Sequence, residues 1–173
     1  MVRECLQGLG VTVALGPAAG CSLALDFSDD AIPIDAQPDA PYTDEQCAYM
    51  EPNNSSAEAV AITPADTGPA AICDEAPEDH DFYKFTVPAA TASVTVKINF
   101  TNRAGGDLDL KVLDAAGVML AQSRGFLDGE TIVCPGLAPR CDALPPGDYL
   151  FEVFPALVGA VNSYDISLMI APM

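Results

Sequence analysis

Tyr83-Lys84-Phe85-Thr86-Val87, followed closely by Val94-Thr95-Val96-Lys97-Ile98-Asn99-Phe100, alternates apolar and polar side chains with a period of two. Successive side chains of an extended strand point to opposite faces, so this pattern predicts strands with one face in a core and one toward water. Working outward, Leu108, Leu110 and Val112 alternate with Asp107, Asp109 and Lys111. Asp114-Ala115-Ala116-Gly117 then turns the chain into Val118 to Gln122. That pair reads as a hairpin. Glu130 to Cys134, Asp148 to Phe154 (inward Tyr149, Phe151 and Val153) and Ser163 to Ile170 (inward Tyr164, Ile166, Leu168 and Ile170) supply three more strands. About seven or eight strands with frequent turns predict an all-β fold, an antiparallel β-sandwich. The 15 Pro and 13 Gly suit such a fold better than a helical bundle.

Upstream of residue 47 the character of the chain changes. Arg3 is the only early base, Leu6 to Gly20 is uncharged, and the apolar run Leu9-Gly10-Val11-Thr12-Val13-Ala14-Leu15 lies within it. The stretch is too short to cross a bilayer, which takes about 20 apolar residues, and reads as an export signal over residues 1–20. It ends in Ala18-Ala19-Gly20-Cys21, which resembles the bacterial lipobox, and that resemblance implies lipidation at Cys21. The alternative is an ordinary signal peptide cleaved after Ala19. Residues 22–46 carry Asp26, Asp29, Asp30, Asp35, Asp39, Asp44 and Glu45, no base, and Pro33, Pro38 and Pro41. Residues 21–46 are therefore expected to be a tether, because one sign of charge and few apolar groups cannot offset the entropy of ordering. The domain itself is expected to span 47–173.

Cysteine usage agrees with export. If Cys5 leaves with the signal and Cys21 is acylated, Cys47, Cys73, Cys134 and Cys141 remain, an even number suited to two disulfides in an oxidising compartment. Cys134 and Cys141 flank the loop Pro135 to Arg140 and are expected to pair locally, leaving Cys47 for Cys73, although spacing does not fix the connectivity. A zinc site is disfavoured, since His80 is the only histidine and no close cysteine pair has ligand spacing. The net charge of −18 disfavours nucleic acid, whose binding depends on cations displacing counterions from phosphates, and it permits calcium.

Five motifs in order then point to a family. They are Glu51-Pro52-Asn53-Asn54-Ser55, Asp79-His80-Asp81-Phe82-Tyr83-Lys84-Phe85, Gly106-Asp107-Leu108-Asp109-Leu110 with Asp114 to Gly117, Pro146-Gly147-Asp148-Tyr149-Leu150-Phe151-Glu152-Val153, and Asn162-Ser163-Tyr164-Asp165-Ile166. Together, over about residues 49–171, they resemble the bacterial pre-peptidase C-terminal domain. The resemblance implies a jelly-roll-like sandwich. It also implies a calcium site, as in the collagen-binding domains of clostridial collagenases, carried over here to Glu51, Asn53, Asn54, Glu78 and Asp81 with Asp79 as a nearby substitute. Calcium takes 6–8 hard oxygen ligands, which these residues offer. The match departs at Tyr49, where calcium-binding members have a further Glu. The alternative is that Asn53 and Asn54 cap a turn near Ser55, while Asp79 and Asp81 face solvent.

Strand parity places Phe82, Leu150 and Phe154 away from the main core, where they would form a ligand surface, unless a loop covers them. No nucleophile elbow is present, and His80 in its acidic turn is expected to be solvated. Asp107 and Asp109 share a strand face, but the polar face of an alternating strand accounts for both. The sequence thus predicts no enzyme. It predicts a cell-envelope lipoprotein, held to the outer membrane or cell surface by its acyl anchor, whose sandwich is an adhesion or targeting module for a protein or polysaccharide. The alternatives are a structural subunit or regulator of an envelope complex and, less favoured, a hydrolase.

Overall fold

The computed structural model describes residues 42–66, 68–74 and 78–173, so Cys21, the export segment and most of the expected tether lie outside the described residues. A single helical turn, α1 (Asp44–Cys47), comes first. It is closed by a capping box in which the Thr43 hydroxyl accepts from Gln46 N and the Gln46 side chain accepts from Thr43 N. This turn takes in the last residues of the segment read as tether.

The strands follow as β1 (Val60–Ala61), β2 (Pro69–Ile72), β3 (Asp81–Val87), β4 (Thr91–Asn99), β5 (Leu108–Asp114), β6 (Met119–Ser123), β7 (Glu130–Cys134), β8 (Gly136–Leu137), β9 (Arg140–Cys141), β10 (Gly147–Pro155) and β11 (Asn162–Pro172). One sheet has the order β1-β3-β10-β5-β6 and the other β2-β11-β4-β7, while β8 and β9 form a small ribbon. All pairs are antiparallel except β1 with β3. The fold is an all-β sandwich. The seven strands expected from alternation are β3 to β7, β10 and β11.

The core lies between the two sheets. Tyr83, Phe85 and Val87 of β3, Leu108, Leu110 and Val112 of β5, and Phe151 and Val153 of β10 meet Val94, Val96 and Ile98 of β4, Ile132 of β7, and Ile166 and Leu168 of β11. Tyr83 stacks on Phe151 at 4.8 Å between centroids, and Phe85 stacks on Tyr149 at 5.8 Å. Burial of such side chains contributes about 1.5–3 kcal/mol each and is the main stabilising term. The β5–β6 turn is set locally: Asp114 Oδ1 accepts from Ala116 N and Val118 N, and Gly117 supplies a φ of 82°. Two disulfides, Cys47–Cys73 and Cys134–Cys141, staple α1 to the end of β2 and close the β8–β9 ribbon.

Strand β10 departs from simple alternation, because its outward residues Leu150, Glu152 and Phe154 are buried as well. It is the middle strand of its sheet. Register sets Leu150 beside Leu113 and Lys84, and Glu152 beside Lys111 and Phe82. Lys111 Nζ sits 3.8 Å above the centre of the Phe154 ring, and the His80 ring stacks on the same ring at 6.1 Å between centroids. Phe154 and Leu150 are therefore not an exposed ligand surface, and Phe82 is only half-buried. Lys111 covers this face from the neighbouring strand, with its ammonium group over the Phe154 ring and bonded to Glu152.

Candidate metal centre

The residues predicted as metal ligands divide into two sets. Glu51, Asp79 and Asp81 each bring a carboxylate oxygen within 4.8 Å of the others, and Asp79 and Asp81 are buried rather than solvated. Glu78 and Asn54 do not join them. Glu78 is exposed and accepts from Gly159 N at 3.2 Å, and Asn54 Oδ1 accepts from His80 N at 3.2 Å. Asn54 instead ties the two acidic segments to each other. Tyr49, where the sequence departs from the calcium-binding motif it resembles, packs against the core.

Each carboxylate is placed by the backbone around it. Asp81 opens β3 on the inward side, two residues before Tyr83. Asp79 precedes it, and its Oδ2 accepts from Cys73 N at 2.7 Å, so the disulfide-linked end of β2 fixes that side chain. Glu51 lies on the loop after α1, its Oε2 accepting from Asn53 N at 2.9 Å. Asn53 is wholly buried, and its carbonyl accepts from Phe82 N at 2.9 Å, which docks the loop on the start of β3.

Two tyrosines that alternation reads only as core complete the cluster. Tyr164 donates to Asp81 Oδ2, Tyr83 lies 3.5 Å from the same oxygen, and the two hydroxyls are 2.8 Å apart. The signal in the sequence is that two inward strand positions carry Tyr where Phe would fill the same space, since a buried hydroxyl needs a partner. Burial raises the Asp81 carboxyl well above the usual range; the neighbouring Asp79 and Glu51 add to this, and the bond from Tyr164 opposes it. Burial likewise raises both tyrosines well above their ordinary value.

Asn53 sits at the meeting point. With its amide nitrogen toward the carboxylates it donates to Glu51 Oε1 at 3.0 Å, Glu51 Oε2 at 3.2 Å and Asp81 Oδ1 at 3.0 Å. With the amide turned over, its oxygen occupies that place instead, facing three carboxylate oxygens. The donor set is all hard oxygen, and a surface depression bordered by Asp44, Ala48, Glu51 and Asn54 gives Glu51 a path to solvent. These donors fit a hard divalent cation.

A different arrangement surrounds His80. Its Nδ1 is 2.7 Å from Glu152 Oε1, and Lys111 Nζ donates to Glu152 Oε2 at 2.9 Å. The bond to Glu152 raises the His80 pKa above 6.5, against the opposing effect of burial. Burial pushes Glu152 upward, but the bonds from His80 and Lys111 outweigh it and leave the carboxyl below its usual value. The solvated histidine expected from the sequence is thus half-buried and engaged by a carboxylate and an aromatic ring.

The two disulfides indicate an oxidising compartment. No family model matches the sequence, and no curated protein matches it. Among solved structures the chain is similar to the pre-peptidase C-terminal domain of collagenase from Bacillus anthracis, with 14% identity and a TM-score of 0.49, over 64% of this chain and 94% of that one.

Proposed function

We propose that this is a non-catalytic binding module, stabilised by one calcium ion held by Glu51, Asn53, Asp79 and Asp81. The observation that carries the reading is the buried oxygen cluster centred on Asn53. Tyr164 donates to Asp81 Oδ2, and the Tyr83 hydroxyl lies 3.5 Å from the same oxygen. With the Asn53 amide turned so that its oxygen faces Glu51 and Asp81, a cation among the oxygens makes the arrangement favourable. The ion would neutralise the Asp81 carboxylate, which burial and the neighbouring Asp79 and Glu51 otherwise press toward protonation. It would join the loop after α1 to the start of β3, so its role is to fix the fold's entry segment.

His80 supports the non-catalytic part. Its imidazole is engaged by Glu152 at Nδ1, stacks on Phe154 and has Glu78 3.7 Å from Nε2, so both ring nitrogens face carboxylates rather than a nucleophile's hydroxyl or thiol. In the same reading the domain is exported and lipid-anchored at Cys21, with residues 21–46 as spacer, and presents its loops to a protein or polysaccharide outside the cytoplasm.

Isothermal titration of the chelated protein with calcium tests the metal centre. One ion per chain is expected, with binding abolished in Glu51→Gln and Asp79→Asn and retained in Glu78→Gln. Absence of binding at millimolar calcium, or equal loss in Glu78→Gln, would overturn the site.

A further inference from the structure

A cleft of about 310 Å³ is bordered by Gln46 of α1, Pro69 of β2, Asn99 at the end of β4, Thr101 just beyond it, and Ser163 and Asp165 of β11. That volume is near the lower end of the ~300–1,000 Å³ of small-ligand sites. The cleft opens on the outer face of the β2-β11-β4-β7 sheet, because Asn99, Ser163 and Asp165 alternate with the core residues Ile98, Tyr164 and Ile166. Asp165 and Asn99 are register partners on neighbouring strands. Such partners have Cβ atoms about 4.5–5.5 Å apart, so a carboxylate and a carboxamide stand side by side.

The fold does not use these groups. The side chains of Asn99, Thr101, Ser163 and Asp165 have no hydrogen-bond partner among the described residues, and Gln46 engages only its carbonyl oxygen, which accepts from Thr43 N. Asn99 and Ser163 are half-buried, yet their unpaired polar atoms are not sealed from solvent, so a ligand in the cleft reaches them. The outer face of the other sheet is different: its charges are closed in pairs, Lys84 with Asp148, Lys111 with Glu152 and Arg124 with Asp109.

Charge and polarity narrow the occupant. In a chain of net charge −18, β4 and β11 turn outward one acid, Asp165, and one base, Lys97. The residues bordering the cleft include no cation to hold an anion, and one carboxylate is few for a hard cation that takes 6–8 oxygen ligands. The apolar residues there are Pro69 and Phe100, the latter only 6% exposed, so little surface is offered to an apolar side chain. What the cleft presents is an acceptor-only carboxylate beside amides and hydroxyls. The group that meets donors and acceptors together is a further hydroxyl.

We infer that this cleft holds one unit of a neutral polysaccharide, a ring hydroxyl donating to Asp165 while its neighbour accepts from Asn99. Thr95, Lys97 and Ser167 continue the same outer face along β4 and β11, where Ser167 and Lys97 are register partners, and give the next units a polar track. The inference rests on the reading of the domain as a binding module, whose ligand class it names, and it does not require the calcium ion.

The test titrates the full chain, in calcium-containing buffer, with cellohexaose, laminarihexaose, N-acetylchitohexaose and mannohexaose, followed by the amide resonances of the protein. At least one of the four should give saturable shifts confined to Gln46, residues 99–101 and 163–165, and the outward positions of β4 and β11. Binding should weaken about tenfold in Asp165→Ala, the scale of one charge-assisted hydrogen bond. It should also weaken in Asn99→Ala and be unchanged in Lys84→Ala on the other sheet. Hexagalacturonate, whose carboxylates would meet Asp165, should not bind. Absence of shifts with all four at millimolar concentration, unchanged binding in both cleft variants, or equal binding of hexagalacturonate would overturn the inference. So would equal shifts at these residues with the peptide acetyl-Gly-Ser-Asn-Ser-Gly-amide, which would mark a peptide site. A saccharide bound elsewhere on the domain would overturn this cleft and leave the binding-module reading standing, and calcium titration of the same sample reports the metal centre separately.

Discussion

Strand β3 has a carboxylate cluster on each side of its sheet, and the two are built on opposite principles. On the inner side Asp81 is buried beside Asp79 and Glu51 and bonded by tyrosine hydroxyls, and its carboxyl is raised. On the outer side Glu152 lies between His80 and Lys111, under which Phe154 is buried, and its carboxyl is lowered. Both have a buried carboxylate at their centre, Asp81 on one face and Glu152 on the other. The outer carboxylate is neutralised by cations that the fold supplies, whereas the inner group gathers like charges that a cation from solvent would relieve. A buried charge persists where it is paired, so the difference separates a structural ion network from a candidate ligand site.

The largest expected effect is on the clamp that holds the inner cluster. Replacing Cys47 and Cys73 by serine should cost about 3.5 kcal/mol in urea unfolding, against about 2.5 kcal/mol for Cys134 and Cys141, because the first pair closes the longer loop. Only the first change should also weaken calcium binding, since Cys73 N holds Asp79. Next, Glu152→Ala should lose about 2–3 kcal/mol by leaving Lys111 and His80 without their acceptor. Asp81→Asn in chelator should lose far less than that, because the native carboxylate is already disfavoured there. If Asp81→Asn proves as costly as Glu152→Ala, the contrast fails. Lys111→Met keeps a side chain of similar length and removes the charge that sits over Phe154, so a loss of about 1 kcal/mol is expected in the same assay.

The smallest effect is in pH. The raised His80 pKa means that its pairing contributes fully below about 6.5 and is lost as pH rises through the higher folded value. The lowered Glu152 pKa contributes above about 4.5 and is lost as pH falls through the folded value. This outer group should therefore be strongest between those limits. An NMR titration of His80 should give a pKa above 6.5, returning toward 6.5 in Glu152→Gln, and melting temperatures of His80→Gln should show a weaker decline from pH 6 to pH 8.5.

The strands that frame both clusters were legible because one face of each is in the core and the period of two survives. Strand β2 was not, since Pro69-Ala70-Ala71-Ile72 carries no alternation and pairs only through β11. Burial of Leu150 and Phe154 was hidden as well, because it depends on neighbours from other segments, Leu113 and Lys84 beside Leu150 and Lys111 and His80 against Phe154. In the inner cluster the acids stood out by their resemblance to a known calcium motif, but the hydroxyls did not. Tyr83 and Tyr164 are 81 residues apart and meet only once the two sheets close. A strand pattern reports which side a residue faces, and it is silent about which polar atom waits there.

Thermal unfolding of the chelated chain, repeated with saturating calcium, tests the inner cluster most directly. A ligand of the native state at 100 times its Kd adds about 2.7 kcal/mol, which for a domain of this size is a rise on the order of 10 °C. That rise is expected in the native sequence and in Glu152→Gln and should vanish in Asp81→Asn. Identical melting with and without calcium, or an equal rise in Asp81→Asn, would contradict a metal centre at Glu51, Asn53, Asp79 and Asp81.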